Sequence, residues 1–264
     1  MALSKELESL KEFHCPEGKC VLTVYLNTDR ANQDQQKGEW KIRLKNGLKK
    51  LDEYLDSSGN EKQLKNYRKI KTKVEKEITG NQTNLQKSVV IFGSEEGDLW
   101  SVHYLQLPVE TSFHWENVPV VDQLEALAKQ YPKSGIVLTN MDEVTILDTA
   151  LGEVTDTRTY TFDPETENWS FKDGMGATNA IQSGASHVDK FQQRFEENLN
   201  RFYKDMATNI EQMNRDRKWN SVYLVGETEM TRTMESQLRV KVGKSVNKNL
   251  SNARPSQVLA QVFK

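Results

Sequence analysis

Residues 182–202 read QSGASHVDKFQQRFEENLNRF, and this stretch decides the interpretation of the second half of the chain. Its apolar residues continue as far as Met213 at spacings of 3, 4, 4, 3, 4, 4 and 3. That periodicity predicts an amphipathic helix over 187–213 that lies along a sheet, with Ser186 as its N-cap. The apolar stripe consists of Val188, Phe191, Phe195, Leu199, Phe202, Met206, Ile210 and Met213.

The segment before this helix, residues 163–186, is predicted to be a loop. Its second part, KDGMGATNAIQSGAS, contains three glycines. A loop of 24 residues is unusual in a compact domain, and such loops are either functional or disordered. The helix N-terminus behind it would present free backbone N–H groups and a partial positive charge. From the residues alone, a mobile loop presented by the long helix and a disordered connector are equally open interpretations.

The charges are unevenly distributed along the 264 residues, although the formal net charge is only −2. Residues 41–87 contain 13 Lys or Arg against 6 Asp or Glu, a balance of +7. Residues 88–170 contain 3 against 15, a balance of −12, and residues 239–264 contain 6 basic residues and no acid. On charge alone the pattern is more typical of ordinary solvated helix faces, and basic faces that contact phosphate are the alternative.

Targeting signals and metal sites are weakly represented. No apolar run approaches the roughly 20 residues of a membrane span, and the first residues predict an amphipathic helix instead of a signal peptide. We therefore expect a cytoplasmic protein with no membrane partner. Cys15, Cys20 and the adjacent His14 are too few for a structural zinc site. A disulfide is disfavoured in a reducing compartment, so we interpret HCPEGKC as a turn entering a strand.

Strand and helix patterns alternate through both halves of the chain. The alternation predicts an α/β fold with two mixed α/β domains, residues 1–133 and 134–264. The first half contains predicted strands at 20–28, 88–94 and 98–107, an extended or looped segment at 108–119, and helices at 38–56, 61–79 and 120–131. The second half contains predicted strands at 134–140, 143–150, 152–162, 221–227 and 244–250, and helices at 187–213, 228–238 and 254–263.

Common catalytic motifs are missing from the sequence. There is no Gly-x-Ser-x-Gly elbow, no phosphate-binding loop that ends in Lys-Ser/Thr and no His-Glu-x-x-His. The four histidines show no ligand spacing, and only His187 lies at the loop–helix junction. The sequence therefore predicts no cofactor and no metal.

The ordered set of segments resembles the archaeo-eukaryotic peptide-chain release factors and their relative Pelota, in the bacterial branch of that superfamily. CVLTVYLNT, two helices and SVVIFGS look like the N-terminal domain. SGIVLTNMDEVTILDTALGEVTDTRTYT and VYLVGETEMTRTMESQL look like parts of the central domain. The resemblance implies that the second domain has an RNase H-like sheet, with the long helix following a mobile loop.

In hydrolytic members of the superfamily, the loop before the long helix carries Gly-Gly-Gln, enters the peptidyl-transferase centre and helps water cleave peptidyl-tRNA. Here Gly184, Ala185 and Ser186 occupy that place, and Gln182 is nearby but out of register. These four residues and His187 are the candidate catalytic residues. Ala185 allows fewer backbone angles than glycine, and Ser186 is shorter than glutamine. The sequence therefore leaves open whether the chain is an enzyme.

Two further departures from the family pattern point away from stop-codon reading. The codon-reading loop lies between the two N-terminal helices, and here that place reads LDSSGNEKQ, without Asn-Ile-Lys-Ser. The third domain, which binds a partner GTPase in eukaryotic factors, has no counterpart, and a separate protein partner that supplies it is left open. The resemblance thus implies a non-decoding occupant of the ribosomal A site in rescue, quality control or hibernation.

The implied partners are the ribosome, its rRNA and peptidyl-tRNA. An active peptidyl-tRNA hydrolase or tRNA-cleaving release factor is one alternative, and a protein–protein adaptor that uses the acidic segment 88–170 is another. A small-molecule enzyme on a generic α/β fold has no motif to support it. The candidate RNA contacts are Lys41, Arg43, Lys45, Lys65, Arg68, Lys69, Lys71, Lys190, Arg194, Arg201, Lys241, Lys244 and Lys248.

Overall fold

A computed structural model describes residues 3–16, 18–29, 31, 38–95, 99–163, 168–173 and 188–264. Within these ranges the side chains of 3–4, 163, 168–169, 172–173, 188–196 and 198 are not described. The chain forms two compact units, Met1–Leu127 and Ala128–Lys264. The boundary predicted from the sequence, at 133/134, lies six residues further along.

The first unit is built on a four-stranded antiparallel sheet with the strand order β3-β2-β1-β4. Its two central strands, β2 and β1, are buried almost throughout, as expected for runs of apolar and β-branched residues. The described elements of this unit, including the helix that crosses its boundary, are α1 (Leu3–Glu12), β1 (Val21–Asn27), α2 (Glu39–Ser57), α3 (Glu61–Gly80), β2 (Ser88–Ser94), β3 (Trp100–Leu105), β4 (Ser112–Glu116) and α4 (Asp122–Gln130).

Helices α2 and α3 cover one face of this sheet. Their apolar residues recur every three or four positions and pack with the inward side chains of β1 and β2 in one core. The Tyr67 hydroxyl, buried between the helices, donates to the Leu48 carbonyl at 2.6 Å. Burial raises the pKa of Tyr67 far above its usual value, so this donor stays protonated.

Side chains on the other face of the sheet pack against the segments that contain α1 and α4. Tyr25 is fully buried, its ring meets Phe92 edge-on at 6.1 Å, and its hydroxyl donates to the Val120 carbonyl at 2.8 Å. An ion pair between Lys11 and Glu125 joins α1 to α4. The helix predicted at the start of the chain is thus an ordered part of this unit.

Cys15 and Cys20 form a disulfide, so the expectation of an unbonded turn is wrong. Their Cα atoms are 6.0 Å apart, within the range that disulfides require. Sequence spacing alone could not reveal this distance, because it depends on how the turn closes. Cross-linking so short a ring restricts the unfolded chain only modestly, by about 2 kcal/mol in the chain-entropy model.

The second unit is built on a six-stranded mixed sheet with the order β10-β9-β5-β6-β7-β8. Strands β10, β9 and β5 are parallel, and β5 to β8 form an antiparallel meander. Leu151 and Gly152 make the predicted hairpin turn, both with positive φ. The described elements are β5 (Ser134–Thr139), β6 (Glu143–Ala150), β7 (Glu153–Asp163), β8 (Asn168–Asp173), α5 (Val188–Arg217), β9 (Ser221–Gly226), α6 (Thr228–Gln237), β10 (Val242–Asn247) and α7 (Pro255–Val262).

Helices α5 and α6 share one core with this sheet, and α7 belongs to a second core. From Leu199 to Met213 the predicted stripe of α5 is buried against strand residues such as Val144 and Ile146. The alternation of inward residues along β5 supplies Val137 to the first core and Ile136 to the second. The prediction of a mixed α/β fold is confirmed.

Strand β8 corrects the prediction of a loop over 163–186. Asn168–Asp173 pairs with β7 along six positions, from Asp163↔Asn168 to Arg158↔Asp173. The segment NWSFKD has only two apolar residues, Trp169 and Phe171 at alternate positions, which is a short strand signal, and its pairing with β7 completes the strand. The rest of the segment predicted to be a mobile loop, residues 174–187, lies outside the described residues.

No helix in the described ranges is both long and apolar enough to cross a membrane.

Candidate nucleic-acid interface

A tight connection joins α2 to α3. Only residues 58–60 separate the two helices, and Gly59 has a φ of 73°, a conformation that favours glycine. Asn60 caps α3 by accepting a hydrogen bond from the Gln63 backbone N–H at 3.1 Å. The segment DSSGN, which breaks the helical pattern in the sequence, is therefore a compact turn.

One acidic residue of α2 holds two of the candidate RNA-binding residues. Arg68 Nε lies 2.9 Å from Asp52 Oδ1, and Lys71 Nζ lies 2.7 Å from Asp52 Oδ2. Burial tends to raise the pKa of Asp52, but the hydrogen bonds from Lys71 and Arg68 outweigh burial and hold that pKa below its usual value. Arg68 and Lys71 thus stabilise the helical hairpin and offer less net charge to a phosphate.

A second set of α3 side chains anchors that helix to the β2–β3 hairpin at intervals of four residues. Lys69 pairs with Glu95, the Lys73 ammonium lies 3.8 Å from the centre of the Trp100 ring, and Glu77 accepts a hydrogen bond from the hydroxyl of the β3 residue Tyr104. Residues four apart lie on one face of a helix. Lys69 therefore belongs to a packing contact.

The remaining basic residues of the hairpin are exposed. Arg43 pairs with Glu39 on its own helix, and Lys41 lies 5.4 Å from the centre of the Trp40 ring. Lys45 and Lys65 are exposed and make no ion pair in the described part of the chain. A shallow surface depression is lined by Asp56, Glu61, Leu64, Lys65, Arg68, Lys69 and Thr72. Lys45 and Lys65 are the members of the predicted set best placed to contact phosphate.

The predicted basic residues of the second unit divide in the same way. Lys244 Nζ donates to the Val262 carbonyl at 3.1 Å, at the C-terminal end of α7, where a cation also favours the helix dipole. Lys248 Nζ donates to Gln261 Oε1 at 2.8 Å. Arg201 and Lys241 are exposed. Lys244 and Lys248 therefore connect the region of β10 to α7. Among the described residues, Arg201 and Lys241 make no such connection.

The candidate catalytic residues belong to the segment that precedes α5 in the chain. Gln182, Gly184, Ala185, Ser186 and His187 lie outside the described residues. Lys190 and Arg194 are in α5, but their side chains are also outside the described part.

Ser101, His103 and Glu6 superficially resemble a hydrolytic triad. Ser101 Oγ lies 2.9 Å from His103 Nε2 and donates to Glu6 Oε1 at 2.6 Å. Glu6 Oε1 is also 3.3 Å from the same ring nitrogen. A catalytic triad uses the two ring nitrogens of histidine for two different partners. Here one nitrogen faces both partners, so the cluster joins α1 to β3 and has no triad geometry.

This cluster predicts a pH dependence of stability. Burial lowers the pKa of His103, and the Glu6 carboxylate offsets part of that effect. As pH falls through about 6.5, unfolded chains bind the proton before folded chains do, so stability is lost by up to about 1.4 kcal/mol per pH unit. We expect the melting temperature of the wild type to fall more steeply between pH 7.5 and 5 than that of His103→Gln. His14→Gln, at an exposed histidine, is the control and should retain the wild-type slope.

Among the described residues, no group of three or more His, Cys, Asp or Glu side chains is arranged to hold a metal ion.

A family model matches residues 132–264, which are half of the chain and nearly all of the second unit: bacterial archaeo-eukaryotic release factor family 5. The chain belongs to this family. Membership in family 5 confirms the resemblance to the release factor and Pelota superfamily and makes the chain a release-factor-like, translation-related protein.

The relatives of this family 5 protein include a protein of Bacillus subtilis (strain 168), the uncharacterized protein YocB. It is 30% identical over 264 residues, which cover 100% of this chain and 99% of YocB. Among solved structures, the archaeal translation termination factor aRF1 is 11% identical, with a TM-score of 0.36, over 98% of this chain and 72% of that one. A second archaeal protein is 12% identical, with a TM-score of 0.34 over the same shares.

The segment that matches the family 5 model contains a buried charge cluster that the sequence did not indicate. Asp148 on β6 is 2% exposed and lies opposite Asp156 on β7. Trp219 Nε1 donates to Asp148 Oδ1 at 2.6 Å, and the two terminal nitrogens of Arg217 lie 3.6 Å from Asp148 Oδ2 and 2.8 Å from Asp156 Oδ2. Arg158 Nε is a further 3.4 Å from Asp156 Oδ2. Arg217 therefore neutralises two carboxylates and fixes the end of α5.

In the N-terminal unit of this family 5 protein, two exposed residues of α2 were also missed. Tyr54 is 64% exposed near the end of the helix, and Lys50, one turn earlier, is exposed. An exposed aromatic ring beside a cation is a surface on which an unpaired base can stack. Both belong to the stretch of α2 whose charge the sequence had already marked as basic.

Proposed function

We propose that this chain is a ribosome-associated translation factor that occupies the A site without decoding stop codons, in rescue, quality control or hibernation. Its partners would be rRNA and peptidyl-tRNA, and it would act in the cytoplasm. Its two units would correspond to the N-terminal and central domains of release factors. The loop at 173–187 would be directed at the peptidyl-transferase centre.

The observation that carries this proposal is the connection between α2 and α3. In the release factors that the sequence resembles, the codon-reading loop lies at this place. Here three residues close the connection, and the Asn60 side chain is already bonded to the backbone of α3. A turn of this size has no free side chains long enough to inspect three bases.

The exposed cations of the helical hairpin support the ribosomal partner. Lys45 and Lys65 make no ion pair in the described residues, and they lie in the segment of balance +7. Phosphate contacts dominate the affinity of proteins for RNA and make binding dependent on salt. An A-site occupant of this kind would need no sequence-specific base contacts in its first unit.

The proposal is tested by sedimentation of the tagged protein through sucrose gradients, from growing and from starved cells. Lys45→Glu/Lys65→Glu is compared with Lys87→Glu/Lys204→Glu, which changes the net charge equally at exposed lysines outside the predicted contacts. We expect the wild type and the control to migrate with ribosomes and the first variant to be lost from them. With purified ribosomes, log K should fall as log salt rises, and losing two phosphate contacts should make this negative slope shallower by about 1.4–1.8.

Other outcomes lead to other functions. Absence of all three proteins from the ribosomal fractions under both conditions would contradict the proposal and favour a protein–protein adaptor. If the wild type releases nascent peptide and Ser186→Ala and Gln182→Ala do not, the chain acts as an active peptidyl-tRNA hydrolase and not as a non-hydrolytic occupant of the A site.

A further inference from the structure

The disulfide between Cys15 and Cys20 lies where the chain passes from α1 into β1. The backbone on both sides of it is held independently of the bond. The Cys15 N–H donates to the Asn117 carbonyl at 2.9 Å, and the Cys20 N–H donates to the Glu116 carbonyl at 3.0 Å. Lys19, next to Cys20, also pairs with Glu116 at 3.0 Å. The two cysteines would therefore stay close together after the bond is broken.

The fold does not depend on this cross-link. The ring that it closes is short, because the two cysteines are separated by five positions in sequence. The core of the first unit already contains two helices packed on a buried sheet. A short cross-link in a unit of this size adds little to a state that is already held by packing and hydrogen bonds.

The two cysteine residues differ in exposure. Cys15 is 3% exposed, whereas Cys20 is half-buried and follows the exposed Gly18 and the half-buried Lys19 in the ring closed by the disulfide. An external thiol or disulfide reaches the more accessible sulfur first, because exchange requires attack along the S–S axis. Cys20 is accordingly the residue that would react first with an external thiol or disulfide. Cys15 would then attack the resulting mixed disulfide on Cys20.

The chain has no other cysteine that could exchange with this pair. In cytoplasmic proteins, disulfides are usually transient and serve in catalysis or redox sensing. Cys15 and Cys20 are held close together by the backbone, differ in exposure and have no other cysteine to exchange with. These properties fit a reversible redox pair better than a permanent structural disulfide.

We propose that Cys15 and Cys20 form a reversible redox centre that is a dithiol under reducing conditions and is oxidised by low-molecular-weight disulfides. The Cys20 thiolate attacks one sulfur of the small disulfide, forms a mixed disulfide and expels one thiolate. The Cys15 thiol then loses its proton and attacks the Cys20 sulfur, which expels the second thiolate. Two electrons pass from the cysteines to the small disulfide, and an external thiol reverses both steps.

The purified full chain is equilibrated in mixtures of reduced and oxidised glutathione and quenched with acid. It is then transferred to an alkaline denaturant that contains iodoacetamide, which alkylates thiolates, and its intact mass is measured. We expect two alkyl groups in reducing mixtures, none in oxidising mixtures, and a midpoint that depends on the ratio of squared reduced to oxidised glutathione. The melting temperature of the oxidised form should be higher by roughly 5 °C.

Single variants test the roles of the two sulfurs. In Cys15→Ser, the remaining Cys20 should form a mixed disulfide with glutathione at least about tenfold faster than Cys15 does in Cys20→Ser, because exchange needs access to the sulfur. Equal rates, or a faster reaction of Cys15, would overturn the assignment of roles.

The same alkylation applied to cells tests whether the centre works in vivo. The tagged chain should be reduced in untreated cells and oxidised within minutes of treatment with the thiol oxidant diamide. A pair that stays reduced under every oxidising condition, or stays bonded in untreated cells and resists glutathione, would contradict a reversible centre. None of these results depends on ribosome binding, so the inference and the proposed function fail separately.

Discussion

Asp148→Ala should lower the free energy of unfolding of the second unit by about 3–5 kcal/mol, the range observed when one partner of a buried ion pair is removed. The carboxylate is 2% exposed, and both of its oxygens are occupied, one by Trp219 and one by Arg217. Its removal would leave a buried indole N–H without an acceptor and a guanidinium with only one carboxylate partner. Chemical denaturation followed by circular dichroism measures the effect, fitted for each unit separately if two transitions appear.

Two further variants divide this effect between the charge and the hydrogen bond. Asp148→Asn keeps an acceptor for Trp219 and should cost less than Asp148→Ala. Asp156→Ala removes the outer carboxylate, whose side chain is 30% exposed, and should cost about 1 kcal/mol or less because the contact is partly solvated. If Asp148→Ala is no less stable than Asp156→Ala, the cluster does not stabilise the fold in the way described.

Gly226→Ala should destabilise the second unit by at least about 2–3 kcal/mol, at the upper end of the usual cost of overpacking. Gly226 ends β9 and lies opposite Thr139 of the parallel strand β5. A Cβ at this position would stand 2.3 Å from Thr139 Oγ1 and 2.5 Å from the Thr139 carbonyl oxygen. The second contact is with backbone, so rotation of a side chain cannot relieve it and the strands must move apart.

Gly80→Ala is the matched control, because a Cβ there would meet nothing within 4 Å. In the last turn of α3, alanine should be neutral or stabilising by up to about 1 kcal/mol. The double variant Thr139→Ala/Gly226→Ala removes the hydroxyl contact but keeps the carbonyl contact, so we expect only partial recovery. Full recovery would show that the backbone contact is unimportant, and unchanged stability of Gly226→Ala would contradict the close approach of the strands.

The elements that the sequence predicted well have strong local patterns. The stripe of α5 follows helical spacing, and the buried strands β1, β2 and β5 are short runs of apolar residues between turns. The end of α5 was placed at Met213, four residues early, because the last turn contains Asn214, Arg215, Asp216 and Arg217 and no apolar residue. That turn is fixed by the ion pairs of Arg217, which act across the fold.

The features that the sequence missed depend on weak local patterns or on partners elsewhere in the chain. Strand β8 has only Trp169 and Phe171 as a strand signal, and it forms by pairing with β7, which directly precedes it. Periodicity also cannot distinguish an exposed lysine such as Lys65 from one that is already paired, such as Lys71, because the partner Asp52 is on another helix. The charge balance of residues 41–87 was therefore right as a sum, but only part of it is available to RNA.

The short connection between α2 and α3 makes this end of the first unit tolerant of insertion. The two helices are held together by the hydrogen bond from Tyr67 to the Leu48 carbonyl and by the ion pairs of Asp52 with Arg68 and Lys71. None of these contacts involves residues 58–60. The entropic cost of a longer loop grows only logarithmically, by about 0.6 kcal/mol per doubling of its length. A change in the length of this connection would therefore leave the packing of α2 on α3 unchanged.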